Sequence, residues 1–177
     1  KREAVAYTLP SFIKSIEESK RAAFIPTGFT ALDSLLDGGL YAGLYVVGAI
    51  SSLGKTTFCL QIADQIAQSG QDVLVFSLEM ARNELIAKSV SRLTLIEDIE
   101  RNGTTTHAKT TRGILTGTRY ADYSQTEREL IQYSISAYGK YAHNIYITEG
   151  MGNVGVDEIR EKVQRHIKLT GKAPVVV

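Results

Sequence analysis

The sequence predicts an α/β fold with a mostly parallel sheet flanked by helices. Short, continuous apolar runs at residues 44–47, 73–78 and 174–177 are typical of strands that are buried on both faces. Between these runs, apolar residues recur at the three- and four-residue spacing of amphipathic helices. Strands that alternate with helices in this way lie side by side and parallel, with the helices packed on the sheet.

Length and composition are those of a single globular domain. The chain has 177 residues, of which 44% are hydrophobic, enough for a sizeable core. The net charge of +1 produces no global field, so any nucleic-acid site must be local. The single cysteine, Cys59, is interpreted as a small core residue. No apolar run approaches 18 residues and no secretory signal is present, so we expect a cytoplasmic protein without a membrane partner.

The first predicted element is an amphipathic helix in a linker that spans residues 1–22. Pro10 and Ser11 mark its start. Its apolar face carries Leu9, Phe12, Ile13 and Ile16. This face packs either on its own domain or on a neighbouring subunit, and periodicity favours neither. The main domain is expected to follow, over residues 23–177.

Turn signals separate this helix from the first predicted strand. Leu32 and Leu35 predict a short helix, with Thr30 as its N-cap. Gly38 and Gly39 end that helix and turn the chain into the strand at residues 44–47.

The loop after this strand has the properties of a phosphate-binding P-loop. An apolar strand, a loop of small residues and an amphipathic helix follow one another directly, as a P-loop requires. Backbone N–H groups of the loop and of the first helical turn would form a cradle for an anion. The nucleotide-binding residues predicted here are Ala49, Ser51, Ser52, Leu53, Gly54, Lys55, Thr56 and Thr57.

Two side chains of the loop carry the chemistry. Lys55 can reach the β- and γ-phosphates of ATP, and the Thr56 hydroxyl is suited to ligate Mg²⁺. Ala49 stands where the usual pattern has glycine, and a Cβ is tolerable there while φ stays negative. The alternative is an ordinary strand-to-helix turn that contains Gly-Lys-Thr, but the complete strand–loop–helix context favours nucleotide binding.

The second apolar run ends in an acidic residue, Glu79. Because ligands bind at the carboxyl ends of parallel strands, Glu79 and the P-loop are expected at the same edge of the sheet. A carboxylate there can take a proton from, or orient, the water that attacks a γ-phosphate. Alternatively, Glu79 caps the next helix. The spacing favours catalysis slightly.

Apolar spacing places the remaining elements. Phe58, Ile62 and Ile66 recur every four residues and predict a core-facing helix that closes at Gly70. The elements after Glu79 are a helix that carries Leu85 and Val90, a helix over 126–141, a strand over 144–148, a glycine-rich loop over 149–155, a helix closed by Gly171 and a strand that begins at Pro174.

Residues 101–121 differ in kind from the rest of the chain. They contain seven threonines, no acidic residue and no helical or strand period, which predicts a long, flexible loop inserted into the domain. Lys109, Arg112 and Arg119 are candidate contacts to nucleic acid because their charges are not balanced locally. A solvated insertion without a partner explains the composition equally well.

Four sequence blocks resemble the motor domain of DnaB-type replicative DNA helicases. They are Thr27-Gly28-Phe29-Thr30 with Leu32-Asp33, Gly38-Gly39-Leu40 with Gly43, Gly48-Ala49 with Ser52 and Gly54-Lys55-Thr56, and Phe76-Ser77-Leu78-Glu79-Met80. The first two blocks are shared with the related RadA recombination proteins and KaiC-like proteins, whereas the last is more particular to the helicases. Ala49 in place of the first glycine also occurs in the helicases. The resemblance spans residues 26–177, and the segment 101–121 is similar to that of phage or mobile-element relatives.

The resemblance implies a RecA-like P-loop NTPase fold and Mg²⁺-dependent ATP hydrolysis between the subunits of a hexameric ring. It also implies translocation on single-stranded DNA with duplex unwinding, and a primase or a helicase loader as partner. Carried over by position, Lys55 binds phosphate, Thr56 ligates Mg²⁺ and Glu79 is the catalytic base. The helix at residues 9–16 matches the linker helix, which docks on the adjacent motor domain.

In that family the strand beginning at Pro174 continues to the Walker B aspartate, which lies beyond Val177. We therefore expect the chain to be the N-terminal part of an ATPase domain that binds nucleotide weakly and does not hydrolyse ATP usefully alone. The alternatives are a RadA-like recombination ATPase, a KaiC-like regulatory ATPase, and an assembly module that forms rings through the first helix. Dependence of ATP turnover on DNA separates the motor from the regulatory and assembly hypotheses.

Overall fold

The computed structural model describes residues 4–19, 23–150 and 154–177. The chain divides into two compact units, Lys1–Val46 and Val47–Val177, which we describe separately. The predicted end of the linker, at residue 22, and the centre of the predicted glycine-rich loop lie outside the described residues. Among the described helices, none is both long enough and apolar enough to span a membrane.

The first unit begins with helix α1, Val5–Ser19. It starts five residues before Pro10, so the prediction that Pro10 marks the helix start is wrong. A proline inside a helix cannot donate the usual backbone hydrogen bond. The hydroxyls of Thr8 and Ser11 hydrogen-bond to backbone carbonyls three residues earlier, at 3.0 and 2.7 Å. The four side chains of the predicted apolar face are 44–58% exposed.

Helix α2, Thr30–Leu35, follows in the same unit. Thr30 is its first helical residue, and the N-cap position belongs to Phe29, so the predicted cap is wrong. The start of the helix is instead organised by Asp33, whose carboxylate accepts hydrogen bonds from the N–H and the hydroxyl of Thr27, both at 2.7 Å. These bonds, led by that of the hydroxyl, lower the pKa of Asp33. The spacing of apolar residues does not reveal this interaction, because Thr27 and Asp33 are six residues apart.

Gly38 and Gly39 follow the end of α2, as predicted, although the strand predicted after them is not formed. Gly39 has a φ of 153°, and a Cβ built on it would lie 2.4 Å from the carbonyl oxygen of Ile25. This close approach allows Ile25 and Leu40 to exchange two backbone hydrogen bonds, at 2.9 and 2.8 Å. Gly39 is therefore required by the close approach of two backbone segments.

The second unit contains a parallel sheet, as the sequence predicts. Its strands are β1 (Val73–Ser77), β2 (Ile145–Glu149) and β3 (Val175–Val176), in the order β2-β1-β3. Val73, Leu74 and Val75 expose only 0%, 5% and 6% of their surface. Because successive residues of a strand point to opposite faces, both faces of β1 are covered.

The predicted strand at residues 44–47 is not formed. These residues have no strand structure, and Leu44 and Val46 are 91% and 84% exposed. An apolar run becomes a strand only where a neighbouring strand pairs its backbone N–H and C=O groups. Composition predicts the tendency of a segment to be a strand but does not supply the partner.

Five helices accompany the sheet in the described part of the second unit. They are α3 (Lys55–Gln68), α4 (Arg82–Asn102), α5 (Thr111–Leu115), α6 (Gln125–Gly139) and α7 (Val156–Thr170). The buried side of α3 includes Leu60 and Ala63, whereas Phe58 and Ile62 of the predicted stripe are only half-buried. Ile66 of the same stripe is completely buried, so the helix and part of its core-facing side were predicted correctly.

Buried ionisable pairs join these helices to one another and to the sheet. Arg92 of α4 donates to the carboxylate of Asp64 in α3 at 2.8 Å, and burial raises the pKa of Asp64. His166 of α7 lies 2.9 Å from the carboxylate of Asp72, which directly precedes β1. Both carboxylates are almost completely buried. Each needs its partner, because an unpaired buried charge is strongly destabilising.

The predicted flexible loop at residues 101–121 is regular in much of its length. Its first two residues complete α4, and it contains α5 and a 3₁₀ helix at Gly117–Ala121. The carboxylate of Asp98 accepts from the His107 N–H at 2.8 Å, and the Thr94 hydroxyl accepts from the Lys109 N–H at 2.9 Å. The absence of a period was misleading because this segment is held by hydrogen bonds to α4 and not by an apolar stripe.

Lys109 is held within this segment. Its ammonium group forms an ion pair with Glu127 of α6 and lies 4.6 Å from the centre of the Tyr123 ring. Its side chain is only 11% exposed. The hydrogen bond from Lys109 is the main cause that lowers the pKa of Glu127 to about 2, followed by one from the Ser124 N–H.

We expect Glu127→Gln to lower the free energy of unfolding of this chain by about 1–2 kcal/mol at pH 7. Because the folded pKa of about 2 lies below the ordinary value of 4.5, the ionised form stabilises the fold above about pH 4.5. This stabilisation is lost as the pH falls from there towards 2. Urea denaturation between pH 7 and pH 3 measures it, with Glu129→Gln on the same helix as the control. If Glu127→Gln lowers the free energy of unfolding by as much at pH 3 as at pH 7, the ionised Glu127 carboxylate is not the source of the stabilisation.

Candidate functional site

The N-terminus of α3 is open to a ligand. Gly54 precedes the helix with a φ of 95°, a left-handed conformation that favours glycine, and no side chain caps the helix. The first turn of a helix has N–H groups without partners inside the helix. Together with the positive end of the helix dipole, these donors form a binding site suited to an anion.

Lys55, the first residue of α3, supplies a positive charge at this site. Its ammonium group donates hydrogen bonds to the backbone carbonyls of Ala49 and Ile50, at 3.0 and 3.3 Å. Both acceptors are neutral, and both residues belong to the exposed loop before the helix. An anionic phosphate is a stronger acceptor than a carbonyl, so it can replace either of them.

A cavity of about 360 Å³ lies at the carboxyl end of β1. Lys55 and Thr56 line it from α3, and Glu79 lines it from the turn after β1. The structure therefore brings together the three side chains that were predicted to carry the chemistry. The other lining residues are Val47, Cys59, Leu60, Val75, Phe76, Ser77, Leu78, Met80, Leu85 and Val177.

The other predicted nucleotide-binding residues lie outside the cavity wall. They are Ala49, Ser51, Ser52, Leu53, Gly54 and Thr57, and all are exposed. Ser52 has a φ of 65°, which is uncommon for a residue other than glycine. Ala49 contacts the site through its carbonyl oxygen, which accepts from Lys55.

The candidate nucleic-acid contacts lie on a different part of the unit. Arg112 belongs to α5 and Arg119 to the 3₁₀ helix after it, and both are exposed. Lys109 is the exception, because its charge is already paired with Glu127. Among the three, only the two arginines remain open to a phosphate.

Glu79 lies in a short turn that is fixed by its neighbours. The Ser77 hydroxyl accepts a hydrogen bond from the Met80 N–H at 3.1 Å and donates to the Met80 carbonyl at 2.7 Å. Glu79 itself is exposed between these two residues. Its carboxylate can therefore contact a ligand in the cavity while the backbone on both sides is held.

Two other carboxylates bind the N–H groups at the start of α4. Glu84 accepts from the Ala81 N–H at 3.2 Å, and Glu149 at the end of β2 accepts from the Arg82 N–H at 2.5 Å. The alternative function considered for Glu79, to cap this helix, is thus performed by other residues.

Cys59, interpreted from the sequence as a core residue, lines the cavity and is half-buried. Burial raises the pKa of its thiol, so the neutral form predominates at pH 7. It lies four residues after Lys55, one helical turn along the same face of α3, and this spacing could have indicated its position.

One protein group at the site is of a type that could hold Mg²⁺ together with a nucleotide. No group of three or more His, Cys, Asp or Glu residues suited to a metal occurs among the described residues. Mg²⁺ in nucleotide sites typically keeps several waters and binds through one or two protein oxygens and the phosphates. The Thr56 hydroxyl, which lines the cavity, fits this limited requirement.

The sequence is similar to proteins of known family. The family model of the DnaB-like helicase C terminal domain matches residues 24–177. The replicative DNA helicase DnaB of Geobacillus stearothermophilus is 43% identical over 65 residues, which are 36% of this chain and 14% of that protein. The DnaB of Pasteurella multocida is 28% identical over 156 residues, which are 86% of this chain and 29% of that protein. The chain thus spans less than a third of the length of these two relatives.

Solved structures share the fold. One of them, described as an ATPase domain, has a TM-score of 0.66 and 23% identity, over 99% of this chain and 56% of that one. A DnaB-like replicative helicase, described with its interactions with primase, has a TM-score of 0.70 and 23% identity, over 99% of this chain and 38% of that one. The parallel sheet and its helices therefore have the RecA-like architecture of helicase ATPase domains.

Proposed function

Because the chain belongs to the family of DnaB-like helicase C-terminal domains, we propose that it forms the ATP-hydrolysing motor part of a replicative DNA helicase. The observation that carries this proposal is the cavity lined by Lys55, Thr56 and Glu79 at the carboxyl end of β1. A cation, a hydroxyl and a carboxylate at one cavity provide the charges that phosphoryl transfer to water requires.

The phosphates of ATP would bind at the start of α3. Lys55 would exchange the carbonyls of Ala49 and Ile50 for phosphate oxygens, and the first-turn N–H groups would donate to the same anion. The exposed loop before the helix, which contains the remaining predicted nucleotide-binding residues, would close around the phosphates. For Lys55, binding of the phosphates requires only that its ammonium group exchange one set of hydrogen-bond acceptors for another.

Thr56 would hold Mg²⁺ through its hydroxyl. When bound, the metal ion neutralises phosphate charge and aligns the reacting oxygens. Glu79 would accept a proton from the attacking water, or orient it, from the turn after β1. The position of these residues on two adjacent elements of one unit makes this division of roles geometrically consistent.

We propose that the protein works as a hexameric ring on single-stranded DNA. The curated relatives are named replicative DNA helicases, and one solved neighbour is described with its interactions with primase. A primase or a helicase loader is accordingly a proposed partner. Arg112 and Arg119 are proposed DNA contacts, because both are exposed and no acidic residue lies within 101–121.

The test of the proposed function is ATP hydrolysis by the full-length protein, with and without single-stranded DNA. Stimulation by DNA together with unwinding of a forked duplex would support a motor. Hydrolysis that is indifferent to DNA would favour the KaiC-like regulatory alternative, and DNA-stimulated hydrolysis without unwinding would favour the RadA-like one.

We further propose that α1 docks on the neighbouring subunit of the ring. Its apolar face is exposed, and Phe12, at 58% exposure, is the largest side chain on it. Burial of such a face against another copy would stabilise assembly. In this role, residues 1–22 would act as the linker that precedes the main domain.

We expect Phe12→Asp in the full-length protein to raise the concentration needed for ring assembly at least about tenfold, because interface aromatics commonly contribute about 2 kcal/mol or more. Ser11→Asp places the same charge on the side of α1 that faces away from Leu9, Ile13 and Ile16, and it is the matched control. Sedimentation velocity over a range of concentrations measures the effect. Equal assembly of the two variants would exclude this docking.

A further inference from the structure

The turn that carries Glu79 is attached to the sheet at both ends. At its start, Ser77 is the last residue of β1, and its carbonyl accepts a hydrogen bond from the Gly150 N–H at 2.8 Å, directly after β2. The Ser77 hydroxyl also binds both backbone groups of Met80. The first half of the turn is therefore held by β1 and by the chain that leaves β2.

At its other end the turn is attached through Arg82, the first residue of α4. The Arg82 N–H donates to the Glu149 carboxylate at 2.5 Å, and the guanidinium group donates to the Ile147 carbonyl at 2.9 Å. Both acceptors belong to β2, 65 and 67 residues further along the chain. The backbone and the side chain of one residue thus bind the neighbouring strand.

Arg82 and Glu149 connect α4 to β2 and do not belong to the hydrophobic core. Both are exposed, so neither contributes buried apolar surface. A carboxylate at a helix N-terminus is favoured by the helix dipole, which strengthens the bond between Glu149 and the start of α4. The residues between these attachments are 78–81, and Glu79 is the carboxylate among them that lines the cavity.

We propose that Arg82 and Glu149 are positioning residues, which hold the 78–81 turn at β2 and so fix the place of the Glu79 carboxylate. A general base acts only when it is within hydrogen-bond reach of the water, and a displacement of about 1 Å can reduce a rate about 100-fold. This inference rests on the proposed function, because it concerns the base of the same reaction.

The test compares Glu149→Ala, Glu149→Gln and Glu100→Ala in the full-length protein. Glu100 is an exposed carboxylate near the other end of α4 and serves as the control. We expect Glu149→Ala to lower kcat about 10- to 100-fold with the KM for ATP changed less than about twofold. Glu149→Gln retains an oxygen acceptor for the Arg82 N–H and is expected to recover most of kcat. Arg82→Ala, which removes the bond to Ile147, is expected to lower kcat as well.

The outcomes separate positioning from folding. If Glu149→Ala has the kcat of Glu100→Ala, the inference is wrong. It is also wrong if kcat and the melting temperature fall together and Glu149→Gln restores neither, because Glu149 then acts only in stability. A loss of kcat at constant KM and constant melting temperature, reversed by glutamine, supports it.

A second measurement keeps this inference distinct from the proposed function. If the wild-type protein shows no ATP turnover, the proposed function fails, and amide hydrogen exchange of this chain then tests the turn alone. Faster exchange of the Met80 and Arg82 amides in Glu149→Ala than in Glu100→Ala would support the attachment. Unchanged exchange at both amides would overturn it.

Discussion

Replacement of Lys55 with alanine is expected to weaken nucleotide binding at least about 100-fold and to abolish measurable ATP hydrolysis. Lys55 is the cation that lines the cavity and lies at the open N-terminus of α3. Each hydrogen bond between charged groups contributes about 1.5–3 kcal/mol, and a lysine that bridges two phosphates makes at least two of them. The helix N–H groups remain in the variant, so weak residual binding is expected.

The measurement is titration of a fluorescent ATP analogue into this chain and, separately, ATP turnover by the full-length protein. Lys140→Ala removes the same charge from an exposed position after α6 and is the control. Lys55 also bonds the loop carbonyls, so Lys55→Ala releases the loop as well as removing the charge. Lys55→Arg keeps the charge and separates these effects. Equal affinity of Lys55→Ala and Lys140→Ala would show that the nucleotide does not bind at α3.

Glu79→Gln is expected to have the opposite pattern, with hydrolysis reduced about 100- to 10,000-fold and nucleotide affinity retained. Glutamine has nearly the shape of glutamate but cannot accept the proton. Because Glu79 is exposed, its replacement creates no cavity and leaves no buried group unpaired. Removal of a negative charge beside the polyphosphate is expected to raise affinity slightly.

Single-turnover hydrolysis by the full-length protein and equilibrium binding together measure this prediction, with Glu100→Gln as a control for loss of charge. Full hydrolysis by Glu79→Gln would show that another group activates the water. Loss of affinity instead of rate would assign Glu79 to binding. The two substitutions therefore distinguish a site that binds phosphate through Lys55 from one that also performs chemistry through Glu79.

Most of the elements were predictable because their determinants are local. The strand β1 is a continuous apolar run, and three helices, the one after the P-loop, the one after Glu79 and the closing one, carry apolar residues at helical spacing. Glycine marked helix ends correctly, since Gly70 and Gly171 have positive φ. The juxtaposition of Lys55, Thr56 and Glu79 was predicted from one topological rule, that ligands lie at the carboxyl ends of parallel strands.

Three of the wrong predictions concern interactions that the local apolar pattern does not reveal. Thr30 was predicted as a cap because it precedes a helical stripe, but the carboxylate of Asp33 organises that turn through Thr27. Residues 101–121 were predicted as a loop because they have no apolar period, but hydrogen bonds to α4 hold them, for example from the Lys109 N–H to the Thr94 hydroxyl. The run at 44–47 is apolar but unpaired. In each case the deciding partner is not visible in the local pattern.

From the amino-acid sequence alone we predicted the α/β class, the helix N-terminus that we propose binds phosphate, and the family, because these depend on residue types at short, regular spacings. The pairing of Lys109 with Glu127 became apparent in the folded structure, as did the contact of Arg82 with β2. The pairing partners lie 18 and more than 60 residues away along the chain. Such contacts depend on how elements pack, and packing is a property of the whole fold and not of any one segment.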